Sequence, residues 1–123
     1  MLLLFALSGC GDGTGTMTGT GPSGGGADGR TITVAGAGVS PTPLTVVPGT
    51  RVIFVNADTQ PHNMTSDPHP EHDDCPEINQ VGVLNPGERR ETGNLNTVRT
   101  CGFHDHDSPP PGGARWAGSI IIR

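Results

Sequence analysis

The five histidines of this chain are the residues best suited to do chemistry. None occurs before residue 62, and all fall within two short segments, 62–72 and 104–106. Neutral imidazole is a common protein ligand for copper and zinc. The clustering therefore predicts a transition-metal site, with solvent-exposed histidines as the alternative.

The first of the three cysteines, Cys10, ends an apolar leader. The sequence Leu7-Ser8-Gly9-Cys10 resembles a bacterial lipobox, at which a lipoprotein is cleaved and its new N-terminal cysteine is acylated. About seven apolar residues are too few for a membrane span, which needs about 20. We expect residues 1–10 to be a lipoprotein signal and the lipid to anchor the protein to a membrane of the bacterial cell envelope, facing the periplasm or on the outer membrane.

The other two cysteines, Cys75 and Cys101, would then lie in an oxidising compartment. Cysteines in such compartments normally pair. Two interpretations stay open: the two residues form a disulfide, or one of them is a metal ligand.

The composition along the chain divides it into a tether and one domain. Residues 11–29 are mostly Gly, Thr, Ser, Asp and Pro, which is typical of a flexible linker. Residues 30–123 contain short β-branched segments separated by turn residues and no sustained helical periodicity, which predicts a two-sheet, all-β sandwich. The expected strands are Thr31–Ala35, Leu44–Val47, Arg51–Asn56, Val81–Leu84, Thr97–Phe103 and Gly118–Arg123. The last of these has no alternation, so we expect it to be buried on both faces.

Three segments in a fixed order resemble the cupredoxin family. Residues 45–56 give a strand, a Pro48-Gly49 turn and a strand ending in Asn, and His62 follows at the position of a ligand histidine. Residues 84–88 resemble the family's "L-x-P-G-E" hairpin, and residues 118–122 resemble its last strand. The resemblance implies a cupredoxin-like Greek-key β-sandwich over residues 30–123 and a copper site that includes His62.

One alignment to the family gives a blue-copper site, in which two imidazoles and a thiolate hold the metal. Cys101 and His104 have the family's spacing of three residues, with His62 as the distant first ligand. The usual axial Met two residues before the last-strand glycine is replaced by Trp116. This alignment also leaves Cys75 unpaired.

A second alignment uses a narrower resemblance, to plastocyanin-like bacterial proteins with an "HPxHxD" loop and a strand ending in "YHDH". Residues 67–74 and 103–106 match these motifs, and Asp105 then takes the position of the copper cysteine. Cys101 is free to bridge Cys75 in this alignment, which is the interpretation we favour. The implied metal site is His62, His104 and His106 with Asp105 nearby, a nitrogen and oxygen set suited to Cu(II), with Zn(II) as an alternative.

The loop histidines, His69 and His72, are weaker candidates. They lie among Pro, Asp and Glu residues, where solvation or hydrogen bonding is the simpler expectation. Their spacing of three residues, continued by Cys75, also allows a secondary zinc site.

The charge and motifs exclude some classes of function. A net charge of −5 and no basic stripe argue against nucleic acid binding. No arrangement of nucleophile and base indicates an enzyme. We expect an extracytoplasmic copper protein for electron transfer or copper handling, with a redox or copper-delivery protein as partner. The alternative is a metal-free sandwich that acts as an envelope binding or structural module.

Overall fold

The computed structural model describes residues 29–123, and Cys10, the expected signal and residues 11–28 of the expected tether lie outside these residues. Nine strands and two 3₁₀ helices occur in the described part. The strands are β1 (Thr31–Ala35), β2 (Gly38–Ser40), β3 (Leu44–Val46), β4 (Ile53–Asn56), β5 (His62–Ser66), β6 (Gly82–Leu84), β7 (Arg89–Glu91), β8 (Arg99–Asp105) and β9 (Gly118–Ile122). The 3₁₀ helices are Pro76–Gln80 and Ala114–Trp116. In residues 29–123, neither helix has the length and apolar character that crossing a membrane requires.

The strands form two sheets, as the sequence predicts. The first sheet has the order β2-β1-β4-β7 and the second β3-β9-β8-β5-β6. The β1–β4 and β3–β9 pairs are parallel, and the other strand pairs are antiparallel. The sequence pattern did not predict β2, β5 and β7, of which β5 carries His62.

The core lies between the two sheets, and an aromatic pair within it connects them. Phe54 on β4 and Phe103 on β8 meet edge to face, with ring centroids 5.1 Å apart, and both side chains are fully buried. An edge-to-face pair adds about 0.5–1.5 kcal/mol beyond the area it buries. This contact links the two sheets at the strand that also carries His104.

The two Pro-Gly turns have the conformation expected for type II turns. Gly49 and Gly87 have φ values of 92° and 85°, in the left-handed region that favours glycine. The chain closes each turn with a backbone hydrogen bond, from Thr50 to Val47 and from Glu88 to Asn85.

The last strand, β9, is less buried than the sequence predicts. Ile120 and Ile122 are buried, but Ile121 is partly exposed. Ile121 pairs with Thr45 and Thr100, which are both exposed, so the outer face of the sheet is open to solvent here. The prediction that β9 is buried on both faces is therefore wrong.

Candidate metal centre

The pairing of β5 with β8 decides which side chains share a face of the second sheet. Thr65 lies opposite His104, and Met64 lies opposite Asp105. Since successive side chains of a strand alternate between faces, Met64 and Asp105 point into the core and Thr65 and His104 point outward. The loop that follows β5 covers this outer face and leaves His104 only 1% exposed.

Four imidazole rings lie in contact where this loop covers the sheet. We call these residues the histidine cluster: His69, His72, His104 and His106. One ligand atom from each of His69, His72 and His104 lies within 4.8 Å of the others. The ring of His106 lies 4.8 Å from His72 and 5.2 Å from His69, centroid to centroid. The spacing brings at least three nitrogen donors within reach of one ion.

Hydrogen bonds fix the ring nitrogens that His72 and His104 offer. His104 Nδ1 lies 2.6 Å from Asp67 Oδ1, and His72 Nδ1 lies 2.8 Å from the Ser66 carbonyl oxygen. Carboxylate and carbonyl oxygens only accept, so both Nδ1 atoms donate. The neutral rings then carry their lone pairs on Nε2.

One of these lone pairs has no partner. His104 Nε2 is buried and, among the described residues, is the one buried side-chain nitrogen or oxygen without a hydrogen bond. The Nε2 of His72 instead lies 2.9 Å from His106 Nδ1. An unpartnered buried nitrogen is costly, and a metal ion bound to it would remove that cost.

The exposed member of the cluster, His69, is adapted to stay neutral. Partial desolvation lowers its pKa below the ordinary 6.5, and the neighbouring imidazoles of His106, His72 and His104 lower it further. The neutral ring is the form that binds metals. His69 thus provides a ligand at the surface, where an ion can enter.

His62 lies on the opposite face of the same sheet, apart from the cluster. Its Nδ1 is 2.7 Å from Asp105 Oδ2 and its Nε2 is 2.8 Å from Asp58 Oδ2. Both partners are carboxylates, so both ring nitrogens donate and the ring is an imidazolium. The predicted set of His62 with His104 and His106 is therefore corrected: the sheet separates His62 from the other two, which join His69 and His72.

The cysteine-ligated alignment is also corrected. Cys101 is bonded to Cys75, with a Cα–Cα distance of 5.8 Å, so it offers no thiolate. Cys75 is excluded as a zinc ligand for the same reason. Asp105, a weaker candidate ligand, instead binds His62, and it also accepts hydrogen bonds from the backbone N–H groups of Asn63 and Asp107.

The residues present do not fit a blue-copper centre. Asp105 stands at the family's cysteine position in the second alignment, and Trp116, at the axial position, lies against His62 with ring centroids 4.8 Å apart. Without thiolate, the trigonal site of the family cannot form. The histidine cluster, in contrast, fits a Cu(II) ion through its nitrogen donors.

Two carboxylates of this region were not identified as site residues from the sequence. Asp58 binds His62, and Asp67 binds His104. Asp67 lies two residues before the "HPxHxD" motif, which begins at His69, so its position beside the histidines was a usable signal. Asp58 lies in a turn before β5, and nothing in the sequence pattern distinguishes it.

The contact between Asp58 and His62 predicts a pH-dependent stability. The hydrogen bond from His62 lowers the pKa of Asp58 below its ordinary 3.8, and the Thr59 backbone N–H lowers it further. The unfolded chain therefore binds this proton at a higher pH than the folded chain, so the stabilisation is present above about pH 3.8 and is lost as the pH falls further. Thermal unfolding of wild type and Asp58→Asn should show a Tm difference that narrows below this pH, and a constant difference would contradict the assignment.

Comparisons with known proteins agree on the fold. No protein-family model matches the chain, and no curated protein matches it. A purple cupredoxin from Nitrosopumilus maritimus is 22% identical, with 76% of this chain and 99% of that chain covered and a TM-score of 0.57. The oxidised plastocyanin of Dryopteris crassirhizoma is 19% identical, with 76% and 99% covered and a TM-score of 0.55. A reduced amicyanin variant is 15% identical, with 79% and 85% covered and a TM-score of 0.56.

These structural similarities confirm the all-β sandwich that the sequence predicts. At such low identity they concern the fold, whereas the ligand set is read from this chain's own residues. The strand order, the two Pro-Gly turns and the similar solved structures together show that the described part of the chain has a cupredoxin-like fold.

Proposed function

We propose that this protein binds Cu(II) at the histidine cluster and handles copper outside the cytoplasm. Two observations support this proposal: the Nε2 of His104 is buried and unpartnered, and one ligand nitrogen from each of His69, His72 and His104 lies within 4.8 Å of the others. The cupredoxin-like fold, which this chain shares with the similar solved structures, is consistent with this role. When bound, copper would supply one-electron redox chemistry at this position.

The donor set favours copper handling over blue-copper electron transfer. Nitrogen ligands suit Cu(II), while the soft thiolate that accommodates Cu(I) is absent from the cluster. His69 is exposed and belongs to a loop, so a ligand at the surface can exchange. Histidines arranged in this way can take up and release an ion more readily than a fully enclosed site.

The proposed location is the bacterial cell envelope, with the lipid on Cys10 as the anchor and a copper-delivery or redox protein as partner. The buried disulfide between Cys75 and Cys101 supports export, because disulfides persist in oxidising compartments and are rare in the cytosol.

Titration of the purified protein with Cu(II) tests the function. We expect one equivalent to bind, with nitrogen superhyperfine splitting in the EPR spectrum and without the intense visible absorption of a thiolate–copper bond. His69→Ala and His104→Ala should weaken Cu(II) binding by more than about 100-fold, because loss of an outer-shell partner alone costs about 10–100-fold. His69 is exposed, so its variant is expected to fold normally.

The matched control is His62→Gln, which changes a histidine on the other face of the sheet and should keep the copper stoichiometry. Intense blue absorption would contradict the all-nitrogen site. Absence of Cu(II) binding by the wild type would overturn the proposed function and favour the metal-free envelope module.

A further inference from the structure

Asp67 is the charged residue that touches the buried member of the histidine cluster. We propose that Asp67 is a positioning residue of the copper site, which holds His104 in one tautomer and makes the site prefer Cu(II) to Cu(I). The part of this inference that concerns copper rests on the proposed function. Its structural part concerns the protein without metal.

The geometry assigns the tautomer. Asp67 Oδ1 lies 2.6 Å from His104 Nδ1, and a carboxylate can only accept the hydrogen. The proton is therefore held on Nδ1, and the lone pair lies on the buried Nε2. His104 is 1% exposed, whereas the side chain of Asp67 is 42% exposed, so the carboxylate contacts the buried ring from the solvent side.

Gly102 provides the space that this contact needs. It precedes His104 by two residues on β8 and therefore lies on the same outer face. A Cβ atom at Gly102 would collide with Asp67 Oδ2 and come within 3.0 Å of Asp67 Cγ. The backbone N–H of Asp67 also donates to the Gly102 carbonyl at 3.0 Å. A side chain at position 102 would displace the carboxylate from His104.

The charge of Asp67 gives the site its expected preference between oxidation states. A carboxylate hydrogen-bonded to a ligating imidazole increases the basicity of that ligand. The additional negative charge stabilises the more highly charged ion, and therefore Cu(II) more than Cu(I). His72, in comparison, has a neutral carbonyl of Ser66 as the partner of its Nδ1.

Three substitutions separate the positioning role of Asp67 from the effect of its charge. Asp67→Asn keeps an oxygen acceptor beside His104 Nδ1 and loses the charge, so it should retain the tautomer but weaken Cu(II) binding about 10–100-fold, with a much smaller change for Cu(I). Asp67→Ala loses both the oxygen acceptor and the charge. Gly102→Ala should give the same result as Asp67→Ala, although it keeps every ligand and every charge.

The measurements are competition titrations with Cu(II) and Cu(I), together with ¹⁵N NMR of the histidine rings in the metal-free protein. We expect one His104 tautomer, Nδ1–H, in the wild type and in Asp67→Asn, and a mixture in Asp67→Ala and Gly102→Ala. The controls are Asp73→Asn, which removes an exposed charge from the same loop, and Gly112→Ala, where a Cβ meets nothing within 4 Å.

The two readouts make the outcomes distinguishable. If the wild type binds no copper but the NMR pattern is as expected, the proposed function fails and the positioning role of Asp67 stands. If the His104 tautomer and the ratio of Cu(II) to Cu(I) affinity are the same in wild type and all Asp67 variants, the inference is overturned.

Discussion

His62→Ala is expected to lower the free energy of unfolding by about 3 kcal/mol, since removing one member of a buried ion pair leaves an uncompensated charge. The side chains of Asp105 and Asp58 are only 2% and 10% exposed, and both carboxylates would lose His62 as their cationic partner. Asp105 keeps hydrogen bonds from two backbone N–H groups, which places the loss at the lower end of the usual range. Urea unfolding followed by circular dichroism measures this change.

The same variant tests the assignment of His62 to stability and not to metal binding. Its copper stoichiometry should equal that of the wild type under conditions where both are folded. His69→Ala, an exposed histidine, is the matched control and should change stability by less than about 0.5 kcal/mol while reducing copper affinity. A His62→Ala variant that is fully stable but binds no copper would reverse both assignments.

The second large effect concerns the disulfide. The double variant Cys75→Ala/Cys101→Ala should lose about 3 kcal/mol of stability, because the bond closes a loop of about 25 residues in the unfolded chain. For a domain of this size, that loss corresponds to a Tm lower by roughly 12–24 °C. Differential scanning calorimetry of the oxidised protein and of the double variant measures the difference.

Loss of the disulfide should also weaken Cu(II) binding. Cys75 ends the loop that carries His69 and His72, and Cys101 precedes His104 on β8 by three residues. The bond therefore joins the segments that supply the ligands on either side of the site. Treatment of the wild type with a dithiol reductant is the control that changes no residue, and it should reproduce the lower Tm. Equal Tm values for oxidised and reduced protein would contradict this role.

The position of His62 explains how the domain can fold without metal. In the second alignment, Asp105 replaces the thiolate that would share an ion with His62. Here the two residues bind each other directly, at 2.7 Å, and Trp116 packs on the imidazole. An imidazolium supplies the positive charge at this end of the sandwich. The histidine cluster then lies on the other face of the same sheet and is available for an ion.

Much of the fold was readable in the sequence. Pro-Gly pairs between β-branched segments predicted the turns at Gly49 and Gly87, because only a few residues tolerate a positive φ there. The strand β1 has the predicted bounds, and β3, β4, β6 and β9 differ from theirs by one or two residues at one end. The strand β8 begins and ends two residues later than predicted. The strand β5 was missed because His62–Ser66 is polar on its outward positions and carries a histidine and a serine on its inward ones.

The sequence by itself determined the all-β sandwich and the two histidine segments, and it favoured a disulfide over a thiolate at Cys101 without deciding between them. Only the tertiary structure decided which histidines meet. Side chains alternate along a strand, so a shift of one residue in the pairing of β5 with β8 would exchange the two faces. The pairing of Thr65 with His104 places that ring on the outer face with His69 and His72, while His62 points inward to Asp105. Spacing along the chain cannot specify this pairing, because it depends on contacts between strands about 40 residues apart in sequence.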